Sequence, residues 1–493
     1  MQQASTAQEL RDQAIAKAMA SVQAAAAKAA ADPRRPRYHF RPPANWMNDP
    51  NGTIYHNGYY HLFYQHNPYG DLWGHMHWGH ARSRDLVHWE HLPIALWPSH
   101  ELGEEHVFSG CAAVTGDGRP MLIYTKVGPG ERDRRPANEQ WAALGDPDWI
   151  TWEKHPANPL LSLENHGGPP FEGEWRDPYV FQVAGRTFLV LGGAYDETAA
   201  VALYEAEDTS LARWRYHKLL YTEPRRQLRF FECPNFFPVG DTWVLLTSPY
   251  RPVEYVTGDF DLAGLTFTPV TRGILDPGYS ETSVANFYAT NTLYAPDGRC
   301  VVLGWVKEWE GGRGWNGCLA LPRVMTIGPD RRPRQAPIAE LEQLRAAQVS
   351  TGAASTAQRD PAAGRVDRRH LAVDRLADPQ VEVHLVLDPG NTARSGILFK
   401  GSAGDGKSLA ISYDRQTLLV DGVPAPLSLA PGEPLDLRIF LDRSVVEVFT
   451  TDGRLALTHI MELPLQGIEV EIMAVSGEAF LLSYNRWEMR SIW

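Results

Sequence analysis

The sequence predicts an all-β fold: a five-bladed β-propeller followed by a C-terminal β-sandwich, with a short N-terminal helix. Three observations lead to this prediction: the distribution of the aromatic residues, a repeat within the aromatic region, and a change of pattern after residue 330. The chain has 16 Trp, 19 Tyr and 17 Phe residues. None of them precedes Tyr38 and only eight follow residue 330. The 44 aromatic residues in between therefore mark a separate domain.

Length and composition limit the class of protein. At about 100–200 residues per domain, the 493 residues make two to four domains. A content of 43% hydrophobic and 22% charged residues is typical of a globular protein. No apolar run approaches the roughly 18 residues of a membrane helix, and the net charge of -12 disfavours binding to a phosphate backbone. We therefore expect neither a membrane nor a nucleic acid as partner.

Residues 1–37 are predicted to form an N-terminal helical extension. Residues 5–31 are rich in Ala and suit a helix, which Asp32-Pro33 ends. We expect this helix to pack on the body of the protein or on another subunit. In the second case the protein would be a homo-oligomer. Charged residues interrupt it, and no apolar core of a signal peptide is recognisable. We therefore expect a cytoplasmic protein.

Residues 38–329 are predicted to form the propeller. Short apolar and aromatic runs alternate there with Gly, Pro and Asp turns, which is typical of β-strands. One short pattern recurs along this domain: an acidic turn is followed by an aliphatic residue and then by an aromatic residue. The recurring aromatic residues are Trp89, Trp152, Trp214 and Phe267, at intervals of 63, 62 and 53 residues. Intervals of this size are typical of propeller blades, and they divide the domain into about five.

The remaining chain is divided into a linker over residues 330–365 and a β-sandwich over residues 366–493. A short helical piece is predicted at about 338–344 in the linker. Beyond the linker, apolar and polar residues alternate in segments such as 381–387, which is typical of half-buried strands. The second domain has few aromatic residues to line a sugar groove, so we interpret it as structural support.

Three acidic residues stand out because a proline follows each within two positions. They are Asp49, Asp177 and Glu232, and the proline restricts the backbone beside the carboxylate. Alone, such pairs are common in turns. Here, however, Asp49 and Asp177 are 128 residues apart and Asp177 and Glu232 are 55 apart, which is about two repeats and one. We therefore expect the three carboxylates to converge in the central channel, which the innermost strands of all blades face.

Amide, hydroxyl and aromatic side chains accompany the three carboxylates in the sequence. Sugars present hydroxyls and apolar C–H faces, which hydrogen-bonding groups and aromatic walls bind. We therefore predict a saccharide as the small-molecule partner. The predicted binding residues are Trp46, Asn48, Gln65, Trp73, Phe108, Ser109 and Arg176.

The motifs around these residues resemble glycoside hydrolase family 32, the invertase and fructanase family, over about residues 38–493. The segments that carry the resemblance are Trp46–Gly52, Phe63–Pro68, Trp73–Ala81, Phe108-Ser109-Gly110, Arg176-Asp177-Pro178, Glu232-Cys233-Pro234, Phe287-Tyr288-Ala289, Gly304-Trp305, Val446–Phe449 and Trp487–Trp493. The resemblance implies a five-bladed propeller with a β-sandwich and the hydrolysis of terminal β-fructofuranosides with retained configuration.

The resemblance also implies roles for the three carboxylates. Asp49 is similar to the nucleophile of the family, Glu232 to its general acid/base and Asp177 to its transition-state stabiliser. A retaining enzyme needs an ionised and a protonated carboxyl about 5–5.5 Å apart. We expect neighbouring amides, Asn48 among them, to keep Asp49 ionised, and we expect an apolar pocket of Phe side chains around Glu232. Arg176 would grip ring hydroxyls together with Asp177.

No metal or other cofactor is predicted. The histidines His75, His77 and His80 are close in sequence, but strand alternation would put the first two on one face and His80 on the other. The implied reaction needs no metal. We interpret these histidines as wall residues that form hydrogen bonds.

The sequence departs from the family pattern at four places. Asn286 stands where an acidic residue often precedes the Phe-Tyr-Ala block, and residues 280–283 resemble an insertion. Cys111 follows the Phe-Ser-Gly block, and Phe231 replaces the Trp or Tyr often found before the acid/base. We expect these departures to affect the subsite for the leaving group.

The leading hypothesis is a retaining β-fructofuranosidase that releases terminal β-D-fructofuranosyl residues from sucrose or short fructo-oligosaccharides through a covalent fructosyl-enzyme. Two alternatives stay open. A fructosyltransferase would use the same double displacement with a sugar hydroxyl in place of water. A non-catalytic propeller would bind sugar without turnover.

Overall fold

The computed structural model describes residues 6–131, 134–224, 230–278, 286–307, 309–351, 365–366, 370–401 and 407–493. Among these residues, the N-terminal helix is the only α-helix. Helix α1 (Ala7–Ala31) has 25 residues, so the predicted helix is present and ends at Ala31, as expected. Thr6 caps its first turn in a reciprocal pair of hydrogen bonds with Glu9. Neither α1 nor any other helix in these ranges combines the length and apolarity needed to cross a membrane.

Five antiparallel sheets follow α1 in chain order. Their strands pair mostly with their neighbours in sequence, as in propeller blades. The first two sheets contain β1 (Asn45–His56), β2 (Tyr59–Asn67), β3 (His77–Ser83), β4 (Trp89–Leu96), β5 (His106–Val114), β6 (Pro120–Val127), β7 (Glu139–Gly145) and β8 (Trp152–Lys154), with a 3-10 helix at His100–Leu102. The third and fourth contain β9 (Arg176–Val183), β10 (Arg186–Tyr195), β11 (Thr198–Ala206), β12 (Trp214–Pro224), β13 (Glu232–Val239), β14 (Thr242–Ser248), β15 (Glu254–Asp261) and β16 (Thr266–Ile274). The fifth contains β17 (Phe287–Tyr294), β18 (Cys300–Val306), β20 (Cys318–Leu319), β21 (Arg323–Ile327) and β22 (Pro333–Pro337). The two-residue strand β19 (Trp315–Asn316) joins the first sheet, beside β1.

The five sheets close into a ring through their first strands. Each of β1, β5, β9, β13 and β17 contacts the first strand of the next sheet, and β17 returns to β1. The short strand β19 also pairs in parallel with the start of β1, where Asn45 lies opposite Trp315. Five sheets with this connectivity are consistent with the five predicted blades.

The aromatic repeat of the sequence marks the fourth strand of the first four blades. Trp89, Trp152 and Trp214 each begin such a strand, and Phe267 is the second residue of another. Two of these rings are also anchored locally, since the indoles of Trp89 and Trp214 donate to the carbonyls of Leu86 and Leu211 at 3.1 and 2.9 Å. The repeat is therefore structural, and its period is the length of a blade.

The first strand of every blade contains a β-bulge. The pairing register shifts between Met47 and Pro50 in β1, and equivalent shifts occur in the other four blades. In three blades a residue other than glycine adopts a positive φ at the bulge: Asp177 at 62°, Cys233 at 47° and Ala289 at 49°. A bulge bends the strand and redirects a side chain, so each blade presents side chains to the axis at the same level.

The C-terminal domain is a sandwich of two antiparallel sheets with an apolar core of Val, Leu and Ile between them. The seven-stranded sheet contains β23 (Arg345–Thr351), β24 (Arg365–Val366), β26 (Gln380–Asp388), β31 (Leu435–Asp442), β32 (Val445–Thr450), β33 (Ala456–Ile460) and β35 (Ala479–Met489). The six-stranded sheet contains β25 (His370–Leu376), β27 (Arg394–Gly401), β28 (Ser408–Tyr413), β29 (Thr417–Val420), β30 (Val423–Pro426) and β34 (Ile468–Val475).

The segment predicted as a linker, 330–365, contributes strands to both domains. Strand β22 pairs with β21 of the fifth blade, and β23 pairs with β35 of the sandwich. A 3-10 helix, Ala339–Leu344, lies between them. Residues 352–364 of the predicted linker lie outside the described residues. We propose that the domain boundary lies at this 3-10 helix.

A buried cluster of charges joins the sandwich to the propeller. Arg323 Nη2 lies 2.9 Å from Asp276 Oδ2 and 2.7 Å from Glu447 Oε2. His39 bridges Asp442 at 2.8 Å and Glu447 at 3.0 Å. All five side chains are fully buried. Burial alone would lower the pKa of His39, but its hydrogen bonds with Asp442 and Glu447 raise the pKa to about 9, so the histidine is a cation at neutral pH.

We predict that Glu447→Ala destabilises the protein by about 3–5 kcal/mol, because it leaves two buried cations with too few partners. Thermal and urea denaturation at pH 7 measure this. The matched control is Glu433→Ala, which removes a carboxylate paired with Arg454 at the surface of the sandwich; a loss of at most about 1 kcal/mol is expected there. Equal losses in the two variants would contradict the importance of the buried cluster.

Candidate active site

A cavity of about 550 Å³ lies at the axis of the propeller, beside the bulged ends of its first strands. It receives side chains from all five blades. Its lining residues are Asn48, Asp49, Gln65, Trp73, His106, Phe108, Ser109, Gly130, Arg135, Arg176, Asp177, Glu232, Tyr250, Tyr288 and Trp305.

The structure brings the three predicted carboxylates together around Cys233. The Cys233 thiol lies 3.6 Å from Asp49 Oδ2 and 3.8 Å from Asp177 Oδ2. Its backbone N–H donates to Asp177 Oδ2 at 2.9 Å, and Glu232 precedes it in the chain. Asp49, Asp177 and Glu232 come from the first strands of blades one, three and four, as their spacing predicts.

Asp49 is held by two side-chain donors. Ser109 Oγ donates to its Oδ2 at 2.5 Å, and Asn48 Nδ2 donates to its Oδ1 at 3.0 Å. We expected such donors to favour the ionised carboxylate, and both hydrogen bonds do lower the pKa of Asp49. Burial and the nearby Glu232 act in the opposite direction, and the net result is a raised pKa.

Asp177 is the carboxyl whose titration is shifted furthest into the neutral range. Its side chain is buried, and Arg176 Nε is 3.7 Å from its Oδ2. Burial raises the pKa of Asp177 to about 7; the charge of Arg176 opposes this, and the nearby Glu232 and Asp49 reinforce it. Ionisation of Asp49 therefore disfavours ionisation of Asp177.

The surroundings of Glu232 are polar, contrary to the apolar pocket expected from its Phe neighbours. Tyr250 donates to Glu232 Oε1 and Tyr288 to Glu232 Oε2, both at 2.7 Å. Arg176 also donates to Glu232 Oε1. The Phe231 ring next to it in sequence is instead buried in the core between blades three and four.

Arg176 forms hydrogen bonds with two glutamates and a longer ion pair with Asp177. Its guanidinium donates to Glu174 and Glu232 and, at 2.9 Å, to the hydroxyl of Tyr250. The same guanidinium lies 4.7 Å from the ring centre of Phe230. Arg176 is therefore the centre of a polar network around Glu232, and its expected joint action with Asp177 on ring hydroxyls stays a prediction.

Six of the seven predicted binding residues line the cavity, and Trp46 does not. These six are Asn48, Gln65, Trp73, Phe108, Ser109 and Arg176. Trp46 contacts two of the lining residues: its indole donates to Asn48 Oδ1 at 2.7 Å and packs against Trp305. Trp46 thus orients Asn48, which in turn holds Asp49.

The sequence argument missed several lining residues, namely His106, Gly130, Arg135, Tyr250, Tyr288 and Trp305. Tyr288 and Trp305 were visible as part of family motifs, but no role was attached to them. The position of Tyr288 at the bulge of β17, equivalent to that of Glu232 in β13, is the signal that could have found it. Tyr250 lies in a loop after β14, for which no repeat predicts a role.

Three of the departures from the family pattern lie away from the cavity lining. Asn286 contacts His459 of the sandwich at 3.1 Å, and Cys111 and Phe231 are packed in apolar cores. None of these three residues therefore contributes to the lining of the cavity, and their expected effect on the leaving-group subsite stays a prediction. The predicted insertion at 280–283 lies outside the described residues.

The histidines considered as metal ligands have separate partners. His80 stacks on Phe63 with ring centres 4.0 Å apart, whereas the His77 ring bonds the carbonyl of His75. Within the described part of the chain, no group of three or more His, Cys, Asp or Glu side chains is placed to hold a metal ion.

We predict that Asp177→Asn stabilises the protein at pH 8. In the unfolded chain an Asp carboxyl titrates near about 3.9, whereas in the folded protein its pKa is about 7. Between these values the folded state binds a proton that the unfolded state lacks, so the free energy of unfolding falls as pH rises. The variant should melt of the order of 2 °C higher at pH 8 and no higher than the wild type near pH 4.

Thermal melting at both pH values tests this, with Asp208→Asn as the control. Asp208 is a surface residue whose hydrogen bonds with Ser210 lower its pKa, so its amide variant should not gain stability at pH 8. A gain for Asp177→Asn that is the same at both pH values would contradict a titration origin.

Comparison with known proteins assigns the chain to a family. Residues 39–337 match the glycosyl hydrolases family 32 N-terminal domain, and residues 340–464 match the glycosyl hydrolases family 32 C-terminal domain. The sucrose-6-phosphate hydrolase of Escherichia coli is 30% identical over 489 residues, which cover 92% of this chain and 94% of that protein. The raffinose invertase of Escherichia coli is 32% identical over 469 residues, with 92% and 94% covered.

A solved structure is similar over the whole length. The GH32 β-fructofuranosidase of Bombyx mori, solved as a variant in complex with sucrose, superposes with a TM-score of 0.80 at 26% identity, covering 97% of this chain and 99% of that chain. The two family domains together span both the propeller and most of the sandwich. The chain therefore belongs to glycoside hydrolase family 32.

Proposed function

We propose that this family 32 enzyme is a retaining β-fructofuranosidase that releases terminal β-D-fructofuranosyl residues from sucrose and short fructo-oligosaccharides. The observation that carries the proposal is the meeting of Asp49, Asp177 and Glu232 around Cys233 in one axial cavity. Relatives named as sucrose-6-phosphate hydrolase and raffinose invertase, and the sucrose complex of the Bombyx mori enzyme, support a fructosyl saccharide as substrate.

Asp49 is proposed as the nucleophile. Ser109 and Asn48 hold its two oxygens from opposite ends, which fixes the direction of attack on the anomeric carbon. Burial disfavours the charge of the carboxylate. Attack on the anomeric carbon converts the carboxylate into a neutral ester. The desolvation penalty of the charged carboxylate therefore falls as the fructosyl-enzyme forms.

Glu232 is proposed as the general acid/base. It would donate a proton to the leaving oxygen in the first step and accept a proton from water in the second. Tyr288 and Tyr250 bond its two oxygens, and Arg176 bonds the same carboxyl. These contacts keep the carboxyl in one orientation while its charge changes between the steps.

Asp177 is proposed to stabilise the transition state. The oxocarbenium-like sugar carries developing positive charge, and a buried carboxylate interacts with it more strongly than a solvated one would. Its position is set by the Cys233 N–H and by the positive φ of its own backbone. In the free enzyme, two neighbouring carboxylates and burial oppose its ionisation, and the charge of the transition state would offset this opposition.

Several smaller conclusions stay predictions from the sequence. They are the cytoplasmic location, the homo-oligomeric state, the absence of a nucleic-acid partner and the supporting role of the sandwich.

We predict that Glu232→Gln lowers kcat for sucrose by about 10²–10⁴-fold, because a general acid is lost, and that Asp49→Ala leaves no measurable release of fructose. Added azide should restore turnover of the Glu232→Gln variant on a substrate with an activated leaving group, since azide needs no general base. The control Glu207→Gln removes a surface carboxylate paired with Arg213 and should behave like the wild type. Full activity of Glu232→Gln on sucrose would contradict the assignment.

We predict that the wild type releases glucose and fructose in equal amounts from sucrose, with β-configured fructose as the first anomer. Chromatography of the products and NMR during the first minutes measure this. Trisaccharide as the main product at high sucrose would instead assign a fructosyltransferase. Binding of fructan without any turnover would assign a sugar-binding propeller.

A further inference from the structure

Trp73 stands on a loop at the mouth of the active-site cavity whose central side chains are largely exposed. This loop, residues 68–76 between β2 and β3, is called the rim loop here. Three of its apolar side chains face solvent, since Tyr69 is 37% exposed, Leu72 62% and Trp73 53%, whereas Met76 at its end is buried. Trp73 nevertheless lines the cavity, and its indole packs against His106 and Phe108. Something other than side-chain burial must therefore hold this loop.

Hydrogen bonds tie the base of the rim loop to the ring closure of the propeller. The carboxylate of Asp71 accepts the backbone N–H of Gly314 at 2.7 Å, and its carbonyl accepts Asn316 Nδ2 at 3.2 Å. Gly314 also accepts the N–H of Asn45 at 2.8 Å, next to the parallel pairing of Asn45 with Trp315. The rim loop is thus attached to residues 313–316, and these residues have a second partner.

That partner is the C-terminal end of α1. Ala29 and Val22 of the helix pack with Trp315 in an apolar cluster. Asp32, just after the helix, accepts the Trp315 indole N–H at 3.0 Å. The approach at Gly314 is so close that an added Cβ would lie 3.1 Å from the Ala29 nitrogen. The helix therefore fixes the segment to which Asp71 of the rim loop is bonded.

The middle of α1 contacts the rim loop directly. Lys17 Nζ lies 5.4 Å from the ring centre of Tyr69, within the range of a cation–π interaction. The other edges of that ring meet His75 and His77 at 5.7 and 5.6 Å. The Tyr69 ring is thus held between the helix and the end of the loop that enters β3.

We propose that α1 is a positioning element of the active site: through Tyr69 and Gly314 it holds the rim loop, and with it Trp73, where the leaving-group sugar binds. The inference rests on the proposed function. The carboxylates lie at the base of the cavity, so the fructosyl ring occupies the inner part and the leaving group extends to the mouth, where Trp73 is. Helix α1 contributes no residue to the lining of this cavity. Its effect should therefore concern the affinity for the leaving group and leave the chemistry at the anomeric carbon unchanged.

The test compares Lys17→Ala, Lys17→Arg and wild type on two substrates. We expect Lys17→Ala to raise KM for sucrose about threefold while kcat changes little. Methyl β-D-fructofuranoside has a leaving group too small to reach Trp73, so its KM should stay unchanged. Lys17→Arg keeps a cation over the Tyr69 ring and should restore the wild-type KM. Gln13→Ala, a change at an exposed residue of the same helix, is the control and should have no effect.

Hydrogen exchange of the rim-loop amides is the readout that does not depend on substrate. We expect faster exchange of residues 69–74 in Lys17→Ala at an unchanged melting temperature. Tyr69→Phe should exchange like the wild type, whereas Tyr69→Leu should exchange like Lys17→Ala, and the double variant Lys17→Ala/Tyr69→Leu should add nothing further.

Unchanged KM and unchanged exchange in Lys17→Ala would overturn the proposal, as would an equal rise of KM for both substrates. If the wild type released no fructose from either substrate, the proposed function would fail. The exchange measurement would in that case still decide whether α1 holds the rim loop.

Discussion

The bulge in the first strand of each blade is the constraint on which the rest of the site depends. Five such strands surround the axis, and each shifts its register at the same level. The extra residue turns the side chains at that level out of strict alternation and toward the cavity. Asp49, Ser109, Asp177, Glu232 and Tyr288 all lie within these irregular segments. One backbone feature, repeated five times, therefore brings together side chains that are far apart in sequence.

The chemistry of the site follows from placing like charges close together in a buried place. Burial and mutual repulsion raise the pKa of both Asp49 and Asp177, and Arg176 with its glutamate partners counters part of this charge. Such an arrangement is unfavourable for the free protein. The interaction of these carboxylates becomes favourable when a cationic transition state forms beside them. The surrounding structure must then supply the stability that the site removes.

That stability comes in part from outside the propeller. The buried cluster around Arg323 and Glu447 ties the sandwich to the fifth blade, while α1 packs on Trp315 where the ring closes. Both attachments lie on the fifth blade and its closure with β1. The sandwich and the helix thus support the junction between the fifth and the first blade, where the two ends of the propeller segment meet.

The sequence by itself determined the blades and the convergence of the three carboxylates, because both depend on spacing along the chain. Repeats of blade length place Asp49, Asp177 and Glu232 at equivalent bulges whatever surrounds them. Only the tertiary structure decided the rest. Trp46 contacts the lining residues Asn48 and Trp305 without lining the cavity itself. Tyr250 and Tyr288 stand in place of the expected apolar pocket of Glu232, and the pKa of Asp49 rises. These features depend on contacts between different blades and on burial, which no pattern along one chain records.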